Sequence, residues 1–358
     1  MFLLGLSFFY HDSAAALLQD GQLVAAAEEE RFSRIKHDHG FPVQAIDFCL
    51  KHAGITAPDL DYVVFYEKPF IKFERILLTS LSAFPSSWKV FREAMVSWFG
   101  EKLWIRNLLV RQLGVPSDRV LFTDHHLAHA ASALFCSPFD RAAIITIDGV
   151  GEWTTATLGE GQANWDRSGV NEINLFHEQR FPHSLGLLYS AFTAWLGFEV
   201  NSGEYKVMGM APYGAARYLD RVEKLFRVND DGSFWVNMDY FSYHTSPEHT
   251  YSRRFVELFG PPRDPRPEFV TRLTGPTSQP ATQAEMERNQ YYADVAASIQ
   301  RVTEETLLKM ANYLYQCTGL KRLCMAGGVA LNSVANGRIL RETPFEEIYI
   351  QPAAGDSG

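Results

Sequence analysis

His125 and His129 stand four residues apart in the run Asp124-His-His-Leu-Ala-His-Ala-Ala-Ser-Ala133. In a helix that spacing puts both side chains on one face, one turn apart, where two imidazoles can hold one metal ion. His126 points off that face and is left out of the pair. HxxxH alone reads equally well as packed or capping histidines, so the assignment needs further ligands. Two aspartates supply them if two lobes face each other: Asp148, ending a strand in Asp148-Gly-Val-Gly-Glu152, and Asp356, in Gly355-Asp-Ser-Gly358. Two histidines and two aspartates with open positions suit iron, zinc or manganese better than calcium. A cation held there would bind and polarise phosphate oxygens.

Positioning these residues requires strands that end where the turns begin. Arg119 to Thr123 reads as a short buried strand, and Ala130 to Phe135 as helix, so the histidines sit at a helix start. Leu3 to Phe8 reads as a strand followed by a polar turn. Ala14 to Leu18 and Gln22 to Ala27 flank Asp20-Gly21, a hairpin signal. Arg141 to Asp148, Trp153 to Leu158 and Asn174 to Arg180 repeat that opening pattern. Two hairpin-first units in tandem predict a duplicated α/β fold with turns facing each other across a cleft. Glycine turns around Gly149, Gly327-Gly328 and Gly355 each follow a strand and let backbone N–H groups approach an anion. None matches a P-loop or GxGxxG fingerprint, yet three together predict a nucleotide cleft.

The remaining chain reads as follows. Glu28 to His37 is a charged, mainly solvated segment, and a helix runs from Pro42 to near His52. Tyr62 to Tyr66 is a strand. Phe70 to about Leu113 holds two or three helices broken near Pro85, with Trp88, Phe91, Trp98, Phe99 and Trp104 expected in the core. Ser184 to Leu196 is expected as an amphipathic helix, Ser202 to Gly214 as a loop or short helix, and Ala215 to Phe226 as helix. A loop-rich insertion is expected over about 229–284, then one long helix from Gln290 to Cys317. Arg322 to Met325 is a buried strand, a helix runs to Leu340, and Glu347 to Ile350 is the last strand.

The 358 residues, 46% hydrophobic and 13% aromatic, suffice for two lobes and a sizeable core. A net charge of -9 disfavours a non-specific nucleic-acid binder. Cys49, Cys136, Cys317 and Cys324 lack CxxC spacing and read as reduced thiols of a cytoplasmic protein. The apolar N-terminus lacks a basic leader, and no apolar run is long enough to span a bilayer, so no membrane partner is expected.

Taken in order, Gly5-Leu-Ser-Phe-Phe-Tyr-His-Asp-Ser-Ala-Ala, Glu28-Glu-Glu-Arg-Phe-Ser-Arg-Ile-Lys-His, His125-His-Leu-Ala-His-Ala-Ala-Ser-Ala and Ile147-Asp-Gly-Val-Gly-Glu form one set with three later motifs. Those are Ser202-Gly-Glu-Tyr-Lys-Val-Met-Gly-Met-Ala-Pro-Tyr-Gly, Gly327-Gly-Val-Ala-Leu-Asn and Gly355-Asp-Ser-Gly. The set resembles the O-carbamoyltransferases of nodulation and of cephamycin and tobramycin biosynthesis, over nearly the whole chain. The resemblance implies an actin/Hsp70/sugar-kinase-like (ASKHA) fold, of the subtype shared with the tRNA threonylcarbamoyl-transfer protein. Lobe I would take residues 1–138 and lobe II residues 139–358. It implies Fe(II), or another divalent metal, on His125, His129, Asp148 and Asp356, touching the phosphate of carbamoyl adenylate. Gly149, Gly151, Gly327, Gly328 and Asn332 would hold the nucleotide, with Glu204 and Lys206 lining its side. His11 and Lys36 match the acceptor and carbamoyl side, where Lys36 would neutralise developing negative charge. Asp239 is the candidate for orienting or deprotonating the acceptor hydroxyl.

Members of that family continue into a YrdC-like domain that makes carbamoyl adenylate from ATP and carbamoyl phosphate. Here the chain stops at the Gly355-Asp-Ser-Gly turn, so lobe II is expected to be truncated and a YrdC-like part to belong to the full-length protein or to a separate chain. The expected activity is transfer of a carbamoyl group to the hydroxyl of a natural product or sugar. An ATPase or kinase on the same fold is the alternative, and a non-haem iron oxygenase a further one. The acidic charge weighs against a tRNA-modifying role.

Overall fold

The computed structural model describes residues 1–165, 169–246, 249–275 and 281–357. Parts of the expected insertion, and Gly358 of the Gly355-Asp-Ser-Gly motif, lie outside the described residues.

Five strands form the first sheet: β1 (Phe2–Ser7), β2 (Ala14–Gln19), β3 (Gln22–Glu28), β4 (Tyr62–Phe65) and β5 (Val120–Phe122), in the order β3-β2-β1-β4-β5. β1 runs antiparallel to β2 and parallel to β4. The turn between β2 and β3 places Asp20 and Gly21 at φ 53° and 83°, the left-handed pair a tight hairpin needs. A second sheet is built from β6 (Arg141–Ile147), β7 (Thr154–Gln162) and β8 (Glu172–Arg180). After a small ribbon of β9 (Phe226–Val228) and β10 (Phe234–Val236), it is completed by β11 (Arg322–Ala326) and β12 (Glu347–Ile350). Its order is β12-β11-β6-β7-β8, with β6 antiparallel to β7 and parallel to β11. Both sheets are thus an antiparallel meander extended, beyond its first strand, by two parallel strands. This shared plan is the duplicated α/β architecture that the two hairpin-first units of the sequence predict.

The helix His125–Leu134 leaves β5 of the first sheet but packs on the second. Its Ala130, Ala133 and Leu134 meet Ala142 and Ile144 of β6 and Cys324 and Ala326 of β11. Small residues on this face let the helix lie close to the sheet, which fixes where the histidines point. The long helix Gln283–Thr318 starts at a capping box of Thr282 and Glu285, earlier than apolar periodicity suggests, and stops at left-handed Gly319. Trp195 is fully enclosed by Phe255, Phe259, Tyr291 and Tyr292, with ring centroids 5.2–6.2 Å away. Trp195→Ala is therefore expected to cost about 3–5 kcal/mol, read as a lower denaturation midpoint in urea.

Three local expectations are corrected, and one buried residue stands out in a segment that is otherwise mainly solvated as expected. The helix Leu185–Trp195 is buried nearly all round rather than amphipathic, because it lies inside the second lobe's core. Residues 215–226 do not form one helix: only Leu219–Val222 is helical, and Phe226 opens β9. Asp294 and Ser298 of the long helix accept from the backbone N–H groups of Ala215 and Tyr218, which diverts that segment from helix. Of the aromatic residues expected in the core, Trp98 is buried, but Trp88, Phe99 and Trp104 are each at least 50% exposed. Their helices pack on each other, Phe73 against Trp98 and Phe99, which leaves the far faces open. In the charged segment after β3, Glu29 is buried and accepts from the N–H groups of Gln44 and Ala45 at the start of the helix Val43–Ala53.

Candidate metal centre and its cleft

The turn after β6, the start of the helix His125–Leu134 and the final turn meet at one point. His125 Nε2 lies 3.2 Å from Asp148 Oδ2 and 3.4 Å from Asp356 Oδ1. His129 Nε2 lies 3.5 Å from each of the same two oxygens. All four residues are buried. His129 Nε2 and both Asp356 oxygens find no hydrogen-bond partner, a costly state for buried polar atoms. Four ligands about 2.1 Å from one tetrahedral cation stand about 3.4 Å apart, so the spacing and donor types fit a divalent metal.

The surroundings hold this quartet in place. Gly328 N–H donates to Asp148 Oδ1 at 3.1 Å, leaving Oδ2 for the imidazoles. His126 turns the other way, its Nδ1 bonded to Thr146 Oγ1 at 2.6 Å and its Nε2 to the Thr154 carbonyl at 2.9 Å. Burial, then the neighbouring His125 and His129, push its pKa down to about 3, so it stays neutral. Glu152 accepts from the N–H of Lys68 at 2.7 Å and of His125 at 3.2 Å, so one buried carboxylate caps two helix starts. Gly151 is demanded by close approach: a Cβ there would stand 2.8 Å from His125 Cδ2. Gly151→Ala is expected to shift that imidazole and weaken cation binding about tenfold or more, measured by metal titration.

Charge in the quartet is balanced locally. Burial alone would raise the Asp148 carboxyl, but the His125 hydrogen bond and the facing imidazole of His129 hold it well below the usual range. Burial also opposes charge on His129, and Asp148 and Asp356 outweigh it, raising its pKa to about 9. Two negative and two potentially positive groups therefore converge where a cation would displace protons.

His11 belongs to this site through a chain of contacts. Its Nε2 lies 3.7 Å from Asp356 Oδ2, and its Nδ1 is bonded to Asp12 Oδ2 at 2.5 Å. The other Asp12 oxygen binds His37 Nδ1 at 2.9 Å, and His37 is held at φ 55° while its N–H donates to Glu30. Asp12, His37 and Glu152 were not singled out in the sequence; only Asp12, next to His11 in a strand-end turn, carried any signal. Lys36 is exposed and makes no hydrogen bond or ion pair with another described residue.

Other expected residues fall into two groups. Gly149, Gly151, Gly327 and Gly328 lie in the turns around Asp148, and Gly327 needs its φ of 94°. Asn332 caps the helix Ser333–Glu342 and exchanges hydrogen bonds with Gln300. Glu204 sits in the first turn of the helix Glu204–Met210, accepting from Ser190 Oγ and from the N–H of Asn201. Lys206 is exposed near the rings of Phe198 and Tyr205. Asp239 lies exposed in the turn Met238–Tyr240, its carboxylate bound by Arg254, and makes none of the quartet's contacts.

Residues 3–358 match the family described as Carbamoyltransferase N-terminus. The chain belongs to this family. It is 50% identical over 364 residues to the uncharacterized protein sll1178 of Synechocystis sp., covering 99% of this chain and 55% of that protein. It is 34% identical over 356 residues to nodulation protein NolNO of Sinorhizobium fredii, covering 98% of this chain and 45% of that protein. The chain thus spans about half the length of these curated relatives of the carbamoyltransferase N-terminus family. Among solved structures it is similar to (R)-2-hydroxyglutaryl-CoA dehydratase component A of Acidaminococcus fermentans. That protein is 13% identical, with 100% of this chain and 94% of that one covered and a TM-score of 0.45. No helix among the described residues is long and apolar enough to cross a membrane.

Proposed function

We propose that this chain is the transfer half of an O-carbamoyltransferase, moving a carbamoyl group from carbamoyl adenylate to a hydroxyl of a natural product or sugar. The observation that carries the reading is the convergence of His125, His129, Asp148 and Asp356 in a chain of the carbamoyltransferase N-terminus family. These four residues would hold a divalent cation, Fe(II) in this reading, which supplies Lewis-acid stabilisation of negative charge on phosphate oxygens. The glycine turns around Gly149 and Gly327-Gly328 offer backbone N–H groups on the nucleotide side.

The acceptor oxygen forms a bond to the carbamoyl carbon, the bond from that carbon to the phosphate oxygen breaks, and AMP departs with the electron pair. The hydroxyl proton goes to His11 Nε2, the nitrogen left free because Asp12 holds Nδ1. Asp12 thereby orients the ring, and His37 orients Asp12. A YrdC-like domain, in the full-length protein or a separate chain, would form the adenylate from ATP and carbamoyl phosphate.

The test supplies synthetic carbamoyl adenylate and a panel of aminoglycosides and oligosaccharides, with mass spectrometry of the products. A carbamate ester that disappears on chelation is expected. Phosphoryl transfer from ATP to the same alcohols, with no carbamate formed, would replace this reading by a kinase.

A further inference from the structure

The helix Pro69–Ser82 carries its charges inward. Lys72 and Arg75, three residues apart on one face, are only 6% and 7% exposed, while Phe70 and Leu81 of the same helix are 68% and 55% exposed. This reverses the usual arrangement, and buried cations require anions. Lys72 has one: its ammonium pairs with Glu67 and stands 4.6 Å over the Tyr10 ring. Arg75 has none. No carboxylate among the described residues bonds to it, its guanidinium stands 5.1 Å over the Phe181 ring, and its Nη1 is buried without a hydrogen-bond partner. The two acidic residues that act on it from a distance are already engaged, Glu67 by Lys72 and Glu152 by the N–H groups of Lys68 and His125.

The location gives this vacancy of charge a meaning. Lys72 lies over Tyr10, the Tyr10 ring contacts His11 at 4.6 Å between centroids, and His11 faces Asp356. Arg75, one turn further along the same helix, acts electrostatically on Tyr10 and on Glu152, the residue that caps the histidine helix, and so lies on the Tyr10 and His11 side of the quartet. A guanidinium is planar, always charged and suited to two-point contact with phosphate.

We propose that Arg75, with Lys72 beside it, binds a phosphate-class oxyanion of the small molecule held in this cleft. The inference rests on the cleft being a small-molecule site, and adds a protein cation to its metal and backbone amides. The oxyanion belongs either to a nucleotide or to a free acyl phosphate.

The test uses the full chain, stripped with chelator so that no metal binds the anion. Arg75→Met keeps the volume and removes the charge, and Arg75→Lys keeps the charge. Inorganic phosphate and AMP are titrated by calorimetry, and melting is followed with and without them. Wild type is expected to bind phosphate and to melt higher with it. Arg75→Met should bind at least about tenfold more weakly, the loss of one charge-assisted hydrogen bond. It should also melt at or above the ligand-free wild type, since an unpaired buried charge is gone. Arg75→Lys should retain part of the affinity. AMP displacing phosphate marks the nucleotide as the source; phosphate binding that AMP leaves untouched marks the free acyl phosphate. Unchanged phosphate binding by Arg75→Met, no phosphate binding by wild type, or a lower melting point for ligand-free Arg75→Met would each overturn the assignment. Failure of carbamoyl transfer with Arg75-dependent phosphate binding intact would refute the proposed activity and leave this site standing.

Discussion

His125→Ala is expected to weaken divalent-cation binding by at least about a hundredfold and to abolish carbamoyl transfer. Loss of an outer-shell partner typically costs about 10- to 100-fold, and His125 would touch the metal itself. The substitution also leaves the buried carboxylates of Asp148 and Asp356 sharing only His129. Two readouts separate binding from folding. Metal content after dialysis should fall from about one equivalent towards zero. Added cation, which should stabilise wild type by about 2.7 kcal/mol at a hundred times its Kd, should no longer raise the variant's melting temperature. His126→Ala is the control, because its partners are Thr146 and the Thr154 carbonyl. It should lose about 1–3 kcal/mol of stability from those unpaired groups yet keep its cation. The reverse pattern, metal lost with His126 and kept without His125, would remove the quartet from the mechanism.

Gly327→Ala is expected to destabilise the protein by about 3–5 kcal/mol, among the largest effects of adding a single methyl group. The backbone sits at φ 94°, and a Cβ would stand 2.2 Å from the Ile147 carbonyl oxygen. Relief requires moving either the end of β6, which carries Asp148, or the segment whose Ala354 carbonyl accepts the Gly327 N–H at 2.7 Å. Stability and metal affinity should therefore fall together in denaturant and metal titrations. Gly355→Ala, where a Cβ meets nothing within 4 Å and φ is not left-handed, should stay within about 0.5 kcal/mol of wild type. Equal behaviour of the two variants would mean that the turn at Gly327 adopts another shape.

The repeated strand–turn–strand pattern was legible because β1–β2 and β6–β7 each alternate an apolar run with a short polar turn. Chemistry-bearing residues in those turns stood out for the same reason. The convergence of the quartet could be expected because HxxxH fixes a face and Asp148 and Asp356 each end a strand in a glycine turn. Glu152 and Arg75 were not readable. Each looks like an ordinary charge in its own neighbourhood, and its role depends on partners brought from elsewhere by tertiary packing. The aromatic residues of the helix Trp88–Gly100 misled for the opposite reason: hydrophobicity alone cannot tell a covered face from an open one. Asp239 misled because an acidic residue in a loop can as readily serve a surface arginine.

The double cap formed by Glu152 has a mechanical corollary. One carboxylate, planted in the turn between β6 and β7, grips the N–H of Lys68, the residue just before the helix that follows β4, and the first amide of the helix that bears the histidines. Sliding the first sheet past the second would break a knot of charge-assisted bonds, whereas swinging it leaves them intact. Any breathing of the mouth that preserves this knot must pivot about Glu152. The spacing of His125 and Asp148, beside that pivot, is then insulated from movement at the rim.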